Sequence, residues 1–271
     1  MDRPLLDRRI LETMIAAIDS RLDRQPDRPV VFGLCGAQGS GKSTIAAALA
    51  RQFVTAGVGT VVISLDDLYL TRREREMLAG EVHPLLRTRG VPGTHDVALG
   101  LRLLADIDAA VAAPLPRFDK ADDDRVRTAD WDIAPSGTRL VLFEGWCIGA
   151  RPQSSSALET PVNDLERIED ADGRWRRYVN DALAADYQRL FDRIDLLALL
   201  AAPSFETVFG WRAQQERALR SRTGAGMSGD EVVRFVQHYE RLTRHMLAEM
   251  PDRADLLVRL DERRKPISVS F

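Results

Sequence analysis

Short apolar runs alternate along the chain with longer segments whose apolar positions recur at helical spacing. The apolar runs show no polar alternation, which is typical of strands that are covered on both faces. They lie at residues 30–35, 60–65, 139–143, 194–200 and 254–260. Because strands that alternate with helices form parallel sheets covered by helices, we predict an α/β fold with about five mainly parallel strands and helices on both faces.

The N-terminal segment is predicted to be an amphipathic helix over residues 5–22. Its apolar positions, among them Ile10, Met14 and Ile18, fall on one face, so this helix is expected to lean on the domain that follows. We therefore divide the chain into an N-terminal helical extension, residues 1–29, and one larger domain over residues 30–271.

Local signals place the ends of later helices. Thr94 is predicted to cap a helix over about residues 95–112, and Ser228 with Glu231 forms an S-x-x-E capping box that opens a helix ending near Glu249. Further helices are predicted at residues 44–56, 71–79, 163–191 and 205–220.

A glycine-rich loop follows the first apolar run directly. Residues 36–43 fit the pattern G-x-x-x-x-G-K-[ST], in the strand–loop–helix context that this phosphate-binding motif requires. Such a loop turns backbone N–H groups toward phosphates, while Lys42 would reach the β- and γ-phosphates and the Ser43 hydroxyl would ligate Mg²⁺. We predict a bound nucleotide and Mg²⁺, with the nucleotide held by Gly36, Ala37, Gln38, Gly39, Ser40, Gly41, Lys42, Ser43 and Thr44.

Carboxylates stand at the ends of two further apolar runs. Asp66 and Asp67 follow the second run and Glu144 follows the third. In an open α/β sheet these strand ends lie at the edge where ligands bind. Carboxylates there suit two tasks, holding Mg²⁺ and accepting a hydrogen bond from an attacking hydroxyl.

Four arginines precede a glycine turn at residues 224–226. A guanidinium carried on a mobile segment can close over a reacting phosphoryl group and stabilise its charge. We predict a lid at about residues 212–228, with Arg212 as its catalytic member; a charged, solvated helix face is the alternative that the residues leave open. The arginines are Arg212, Arg217, Arg220 and Arg222.

A second polar cluster lies in and around the loop after Asp66. It combines cations with hydroxyl and carboxylate groups, as recognition of a small anionic substrate requires. The candidate substrate-binding residues are Asp67, Tyr69, Arg87, Arg89, Thr94, His95, Asp96, Arg117 and Lys120.

Composition narrows the function classes. The net charge of −3 over 271 residues does not favour a nucleic-acid partner. No apolar run approaches the roughly 20 residues of a membrane span, and the N-terminus has no apolar segment of a secretion signal. Two cysteines in apolar runs, Cys35 and Cys147, do not indicate a disulfide framework. We predict a cytoplasmic protein that acts on a small molecule, as a monomer or homodimer, with no membrane or nucleic-acid partner.

Four separated segments together resemble D-glycerate 3-kinase of the plant and fungal type. They are residues 64–71, 89–96, 142–146 and 226–228. More distantly, the chain resembles uridine kinase, phosphoribulokinase and bacterial pantothenate kinase. The resemblance implies a P-loop kinase domain over residues 30–271 with an arginine-bearing lid, ATP as phosphoryl donor and the 3-hydroxyl of glycerate as acceptor.

The resemblance also implies residue roles. Asp66 would be the catalytic base that aims the hydroxyl, beside Lys42 and Arg212, and Asp66, Ser43 and Glu144 would lie near Mg²⁺. The segment 261–263 would lie near the adenine. Two alternatives stay open: the same chemistry on another alcohol, such as a nucleoside, pantothenate or a sugar acid, and a nucleotide-dependent regulatory ATPase that acts on a protein partner.

Overall fold

The computed structural model describes residues 7–223 and 226–271, without the side chains of Arg222 and Thr223. The strands, in chain order, are β1 (Val30–Gly36), β2 (Thr60–Ser64), β3 (Ala113–Leu115), β4 (Phe118–Asp119), β5 (Asp124–Arg125), β6 (Asp132–Ala134), β7 (Leu140–Gly145), β8 (Leu196–Ala201), β9 (Leu256–Leu260) and β10 (Pro266–Ser270). The α-helices are α1 (Arg8–Arg24), α2 (Lys42–Thr55), α3 (Arg72–Glu81), α4 (Val97–Asp108), α5 (Asp164–Glu169), α6 (Arg174–Ala182), α7 (Gln188–Phe191), α8 (Phe205–Thr223) and α9 (Gly229–Glu249).

The central sheet has the strand order β10-β9-β8-β1-β7-β2, and the five predicted strands pair in parallel. The α/β fold class is therefore confirmed. The sixth strand, β10, runs antiparallel to β9 at one edge, and the sequence pattern did not predict it. An edge strand of this kind is not covered on both faces, and its residues accordingly alternate between apolar and polar. Ile267 is 70% exposed.

The two faces of β1 explain why its sequence lacks polar alternation. Successive side chains of a strand point to opposite faces. Val31 and Cys35 pack with residues of α4, α7 and α9, whereas Val30, Phe32 and Leu34 pack with residues of α1, α2 and α8. Helices therefore cover both sides of the central strand.

The N-terminal helix packs as its periodicity predicts. Ile10, Met14 and Ile18 of α1 are buried against the β1 side that also receives α2. Helix α1 begins at Arg8, where the Asp7 carboxylate caps it by accepting a hydrogen bond from Arg9 N. Residues 5 and 6 of the predicted helix lie outside the described residues.

Several predicted helix boundaries shift for local reasons. Helix α4 is capped by Asp96, which accepts from Leu99 N, so the predicted cap at Thr94 was wrong. The segment predicted as one interrupted helix over residues 163–191 contains α5, α6, α7 and a π-helical turn. The capping box of Ser228 and Glu231 is confirmed at the start of α9. Residues 224 and 225 of the predicted glycine turn and the Arg222 side chain fall outside what the structure describes.

Among residues 7–223 and 226–271, no helix has the length and apolar character that crossing a membrane requires. The cytoplasmic location and the monomeric or dimeric state stay predictions.

Candidate active site

The loop between β1 and α2 adopts the backbone conformation of a phosphate cradle. Gly39 and Gly41 have φ angles of 83° and 95°, a region that other residues enter only with strain. Helix α2 then begins at Lys42, and the N–H groups of its first turn are available to an anion, as at any helix N-terminus. The predicted loop therefore has the geometry that binding a triphosphate needs.

The strand order brings two carboxylate-bearing strand ends beside this loop. β7 is the neighbour of β1, and β2 is the neighbour of β7. In register, Glu144 pairs with Leu34 on one side and with Ser64 on the other. Glu144 therefore lies level with the end of β1, and Asp66 follows two residues after Ser64.

Ser43 and Glu144 form a direct contact. Ser43 Oγ donates to Glu144 Oε1 at 2.9 Å. Glu144 is 5% exposed, and its second oxygen, Oε2, has no hydrogen-bond partner within the described part of the chain. A hydroxyl beside a buried, half-satisfied carboxylate is a donor set that suits Mg²⁺. No group of three or more His, Cys, Asp or Glu side chains that could hold a metal is present in residues 7–223 and 226–271.

Asp66 lies in a 3₁₀ turn after β2 and contacts two side chains. Tyr69 OH donates to Oδ1 at 2.7 Å, and Lys120 Nζ donates to Oδ2 at 2.5 Å. Burial would raise the pKa of Asp66, but the ammonium groups of Lys120 and Lys42 and these hydrogen bonds lower it to about 2. Asp66 is therefore a carboxylate at any physiological pH.

The cleft above these strand ends has two parts that share several lining residues. The inner part has a volume of about 480 Å³ and the outer part about 700 Å³. Both parts are lined by Gln38, Lys42, Asp66, Lys120 and Arg212. Tyr69, Arg89, Trp146, Phe235 and Tyr239 complete the inner part. Gly39, Gly41, Ser43, Thr44, Ser64, Glu144 and Gln215 complete the outer part.

Arg212 reaches the cleft from α8. Its guanidinium forms an ion pair with Glu216 one turn further along the helix and stacks over the Phe235 ring, 5.0 Å from the centroid. These contacts hold the guanidinium beside both parts of the cleft. The structure therefore brings Arg212, Lys42 and Asp66, the three predicted catalytic residues, to one cleft.

Arg89 and Lys120 are the predicted substrate-binding cations that the structure brings into the inner part. Tyr69 lines the same space. Arg117 instead contacts Asp67 at 3.4 Å and Asp132 at 3.1 Å, and Arg87 is exposed at the end of a 3₁₀ turn. Neither of these two arginines lines the cleft.

Asp67 supports the cleft from behind. One of its oxygens accepts from Phe118 N at 3.1 Å and the other faces Arg117. Burial raises the pKa of Asp67, while the Phe118 hydrogen bond and Arg117 oppose the shift. Asp67 therefore anchors the strand β4 rather than lining the space for a substrate.

The predicted contacts Thr94, His95 and Asp96 lie behind the cleft wall. Thr94 is fully buried, and its hydroxyl accepts from Gly90 N and donates to Val91 O. The Asp96 side chain caps α4. Thr94 and Asp96 satisfy backbone groups, and neither they nor His95 line the cleft.

His95 stacks on Tyr69 with the ring centroids 4.7 Å apart, and its Nδ1 lies 2.5 Å from Tyr187 OH. Burial lowers the pKa of His95 to about 3, so its imidazole is neutral. Since Tyr69 OH holds Asp66, this ring stack supports the carboxylate from a distance.

The back wall of the inner part was not predicted as a site. Phe235 and Tyr239 come from α9 and Trp146 follows β7. Tyr239 packs edge-on against Trp146, and its hydroxyl donates to Arg89 O at 2.9 Å. Aromatic residues four positions apart on an amphipathic helix are typical of a core face, so the sequence carried no separate signal for this wall.

Arg264 in the β9–β10 turn was also missed. Its Nε donates to Gly39 O at 2.6 Å, and its guanidinium lies 5.2 Å from the ring centroid of Trp211, the neighbour of Arg212 on α8. Trp211 Nε1 in turn donates to Glu262 O at 2.7 Å. The phosphate loop, the β9–β10 turn and α8 are thereby joined.

A third cavity, of about 520 Å³ and more apolar than the cleft, also borders the phosphate loop. It is lined by Asp7, Ile10, Leu11, Ser40, Gly41, Thr44, Ile45, Leu260, Arg264 and Pro266. Its apolar walls beside the loop suit a flat aromatic ring attached to the phosphates.

Comparison with known proteins agrees with this geometry. No protein-family model matches the chain. The chain is 37% identical over 276 residues to the uncharacterized kinase mug58 of Schizosaccharomyces pombe, covering 95% of this chain and 98% of that protein. It is 30% identical over 275 residues to the chloroplastic D-glycerate 3-kinase of Arabidopsis thaliana, covering 94% of this chain but only 58% of the plant protein.

Among solved structures, the D-glycerate 3-kinase of Cryptococcus neoformans superimposes with a TM-score of 0.82, at 24% identity, over 96% of this chain and 98% of that one. At this identity the likeness shows the fold. The match to the mug58 kinase, in contrast, spans nearly all of both proteins. The predicted resemblance to D-glycerate 3-kinases is confirmed by the plant sequence and the fungal structure. The chain belongs to the kinase family of mug58, and it is an ATP-dependent kinase similar in sequence and fold to D-glycerate 3-kinases.

Proposed function

We propose that this kinase transfers the γ-phosphoryl group of ATP to the 3-hydroxyl of D-glycerate, with Mg²⁺ as the metal. The observation that carries the proposal is the contact of Lys120 with Asp66, at 2.5 Å, inside a pocket of about 480 Å³. A carboxylate that can accept from a hydroxyl and an ammonium that can bind a carboxylate then stand side by side. A short hydroxy acid carries both complementary groups, and relatives of this chain are named D-glycerate 3-kinase.

The phosphates would lie on the loop of residues 36–43, with Lys42 against the β- and γ-phosphates. The adenine would occupy the apolar cavity beside the loop, where Ile10, Leu260 and Arg264 form the walls. Ser43 and Glu144 would hold Mg²⁺, which neutralises charge on the phosphates when it is bound.

Asp66 would accept a hydrogen bond from the acceptor hydroxyl and aim its oxygen at the γ-phosphorus. A pKa of about 2 makes Asp66 a weak base. In a loose phosphoryl-transfer transition state the attacking oxygen keeps its proton until late, so orientation matters more than basicity. Arg212, already beside the cleft, would stabilise the charge on the transferred oxygens.

The acceptor carboxylate would bind Arg89 and Lys120. Four cations line the inner part of the cleft, namely Lys42, Arg89, Lys120 and Arg212, against the single carboxylate of Asp66 among the described lining residues. Because Lys42 and Arg212 would serve the phosphates, Arg89 and Lys120 are the cations that remain for the acceptor, and this pair favours an anionic acceptor over a neutral nucleoside.

A screen of ADP formation over a panel of alcohols tests the proposal. The panel contains D-glycerate, L-glycerate, pantothenate, uridine, a larger sugar acid and a sample with no acceptor. We expect the highest kcat/KM with D-glycerate and little ADP without an acceptor. Highest turnover with another alcohol would overturn the choice of substrate. ADP formation at the same rate with and without an acceptor would favour the regulatory ATPase.

The Asp66→Asn variant tests the role of the carboxylate in the same assay. The amide keeps the shape of the side chain but presents only one accepting oxygen and no charge. We expect turnover to fall by about a hundredfold or more while ATP still binds, as general-base and positioning residues contribute on this order. Turnover near the wild-type value would remove Asp66 from the mechanism.

A further inference from the structure

Asp123 lies in the short connection between β4 and β5, which form a hairpin. Three arginines from outside this hairpin surround the Asp123 side chain. Its carboxylate forms ion pairs with Arg75 at 3.0 Å and with Arg89, and it lies 3.9 Å from Arg72 Nε. Its backbone is held in the left-handed region, with φ of 54°. A residue other than glycine keeps this conformation only where surrounding contacts impose it.

Arg75 is the fixed point of this cluster. Only 2% of it is exposed, and its guanidinium donates to Leu70 O at 3.2 Å, Arg87 O at 2.7 Å and Asp123 O at 2.7 Å. A buried guanidinium needs such partners because an unpaired buried charge is costly. Arg75 therefore joins α3, the turn before Arg89 and the hairpin into one rigid unit.

Two cations would bind the acceptor. Lys120 is part of the β4–β5 hairpin, and Arg89 is held by Asp123. Lys120 lies three residues before Asp123 and contacts Asp66 in the cleft. Arg89 pairs with the Asp123 carboxylate, and its other terminal nitrogen donates to Lys120 O at 3.4 Å. The position of both acceptor-side cations thus depends on one carboxylate outside the cleft lining.

Phe118 completes the arrangement at the start of the hairpin. Its ring lies 5.9 Å from the Arg75 guanidinium and 5.5 Å from that of Arg89, and its N–H donates to Asp67. These contacts fix the hairpin at its first strand, whereas the far end is fixed through Asp123. Loss of the Asp123 charge would therefore loosen the end that carries Lys120.

We propose that Asp123 is a positioning residue that sets Arg89 and Lys120 at the distance an anionic acceptor requires. The inference rests on the proposed function, since it assumes that these two cations bind the acceptor carboxylate. Asp123 lines neither part of the cleft, so it acts through the two cations and has no contact with the nucleotide. Its removal is expected to weaken acceptor binding and to leave ATP binding unchanged.

The experiment compares Asp123→Asn with Asp122→Asn, an exposed carboxylate one position earlier on the same hairpin. KM is measured for ATP and for the acceptor in each purified full-length protein. We expect Asp123→Asn to raise the acceptor KM by about tenfold or more, in line with a lost charge-assisted contact, with the ATP KM within about twofold. Asp122→Asn is expected to match the wild type in both constants.

Two results would overturn the inference: an unchanged acceptor KM in Asp123→Asn, or equal rises in both KM values, which would indicate a general loss of structure. If Asp123→Asn does not fold, Arg72→Ala replaces it, because Arg72 is half-exposed and its guanidinium donates to Asp122 O at 2.5 Å. A smaller rise, of about threefold, confined to the acceptor KM is then expected, and no rise would count against the inference.

The acceptor in these assays is whichever alcohol the wild-type enzyme phosphorylates. Failure of the wild type with D-glycerate would overturn the proposed substrate alone, and the KM comparison would still be made with the accepted anion. An accepted alcohol without negative charge would contradict the role of Asp123.

Discussion

The ammonium group of Lys120 lies 2.5 Å from a carboxylate oxygen of Asp66. Asp66 is 29% exposed and Lys120 is 59% exposed, so both side chains line the proposed acceptor pocket and remain accessible to solvent. The ion pair covers the oxygen that would receive the acceptor hydroxyl. An acceptor carboxylate that draws Lys120 to itself would free that oxygen at the moment the hydroxyl arrives.

Lys120→Met is expected to weaken acceptor binding and to expose Asp66 to water. We predict a rise of about tenfold or more in the acceptor KM, since a charge-assisted contact is lost. We also predict a higher rate of ADP formation without an acceptor, measured in the same assay. The matched control is Lys265→Met, which removes an exposed lysine of the β9–β10 turn and is expected to change neither value. Unchanged acceptor binding in Lys120→Met would contradict the role of Lys120.

The pH dependence of activity follows from the pKa of Asp66. Because Lys120 and Lys42 outweigh the effect of burial and hold this pKa at about 2, against an ordinary value of 3.8, Asp66 stays ionised as the pH falls to about 4. The wild-type profile of kcat/KM should therefore show no acid limb from Asp66 between about pH 5 and 8.

Removal of the Lys120 ammonium should raise the pKa of Asp66 and shift the acid limb of the kcat/KM profile to higher pH. The same depressed pKa means that the ion pair stabilises the fold above about pH 4 and loses this effect as the pH falls toward 2. Profiles of the wild type and Lys120→Met, measured over about pH 4 to 8, check the direction. An acid limb that does not move, or moves downward, would show that Lys120 does not set this pKa.

Glu144→Gln tests the metal site. The amide oxygen can still accept from Ser43 Oγ. The substitution removes the negative charge of the carboxylate, whose second oxygen has no partner in the described part of the chain. We predict that the Mg²⁺ concentration for half-maximal activity rises by roughly tenfold or more, as for other groups that support a bound metal. The exposed Glu159 gives the control variant Glu159→Gln. An unchanged Mg²⁺ requirement in Glu144→Gln would place the metal elsewhere.

Arg264→Ala is expected to affect the nucleotide side of the cleft. Arg264 joins the Gly39 carbonyl to Trp211, and its loss frees both the phosphate loop and the turn of α8 that carries Trp211. We predict a rise of several-fold in the ATP KM, since a part-buried contact to a carbonyl and a contact with an aromatic ring are lost together, with a smaller effect on the acceptor KM. Arg259→Ala, at an exposed position on β9, serves as the control. A rise confined to the acceptor KM would contradict this arrangement.

The parts of the site that the sequence predicted are those fixed by local pattern and by strand order. The phosphate loop follows from its motif, and Glu144 and Asp66 follow from the rule that parallel strand ends share one edge. The contact of Ser43 with Glu144 joins residues 101 positions apart, yet the β1–β7 register is enough to bring them together.

The parts that were missed depend on packing between distant segments. Residues 94–96 were predicted to bind substrate because a sequence shows their polar groups but not the backbone atoms that need partners. In the structure, Thr94 and Asp96 serve such atoms, at Gly90 and Leu99. The aromatic wall from α9 was hidden for the opposite reason, because its residues match the pattern of an ordinary core face. The edge strand β10 was missed because one of its faces is exposed.

The most direct test of this account is the identity of the phosphorylated product when wild-type enzyme is mixed with ATP, Mg²⁺ and D-glycerate, followed by NMR of the acceptor. We predict that the phosphoryl group appears on the oxygen of C3 and that ADP forms in equal amount. Phosphate on the oxygen of C2, or ADP with free phosphate and unmodified D-glycerate, would contradict it.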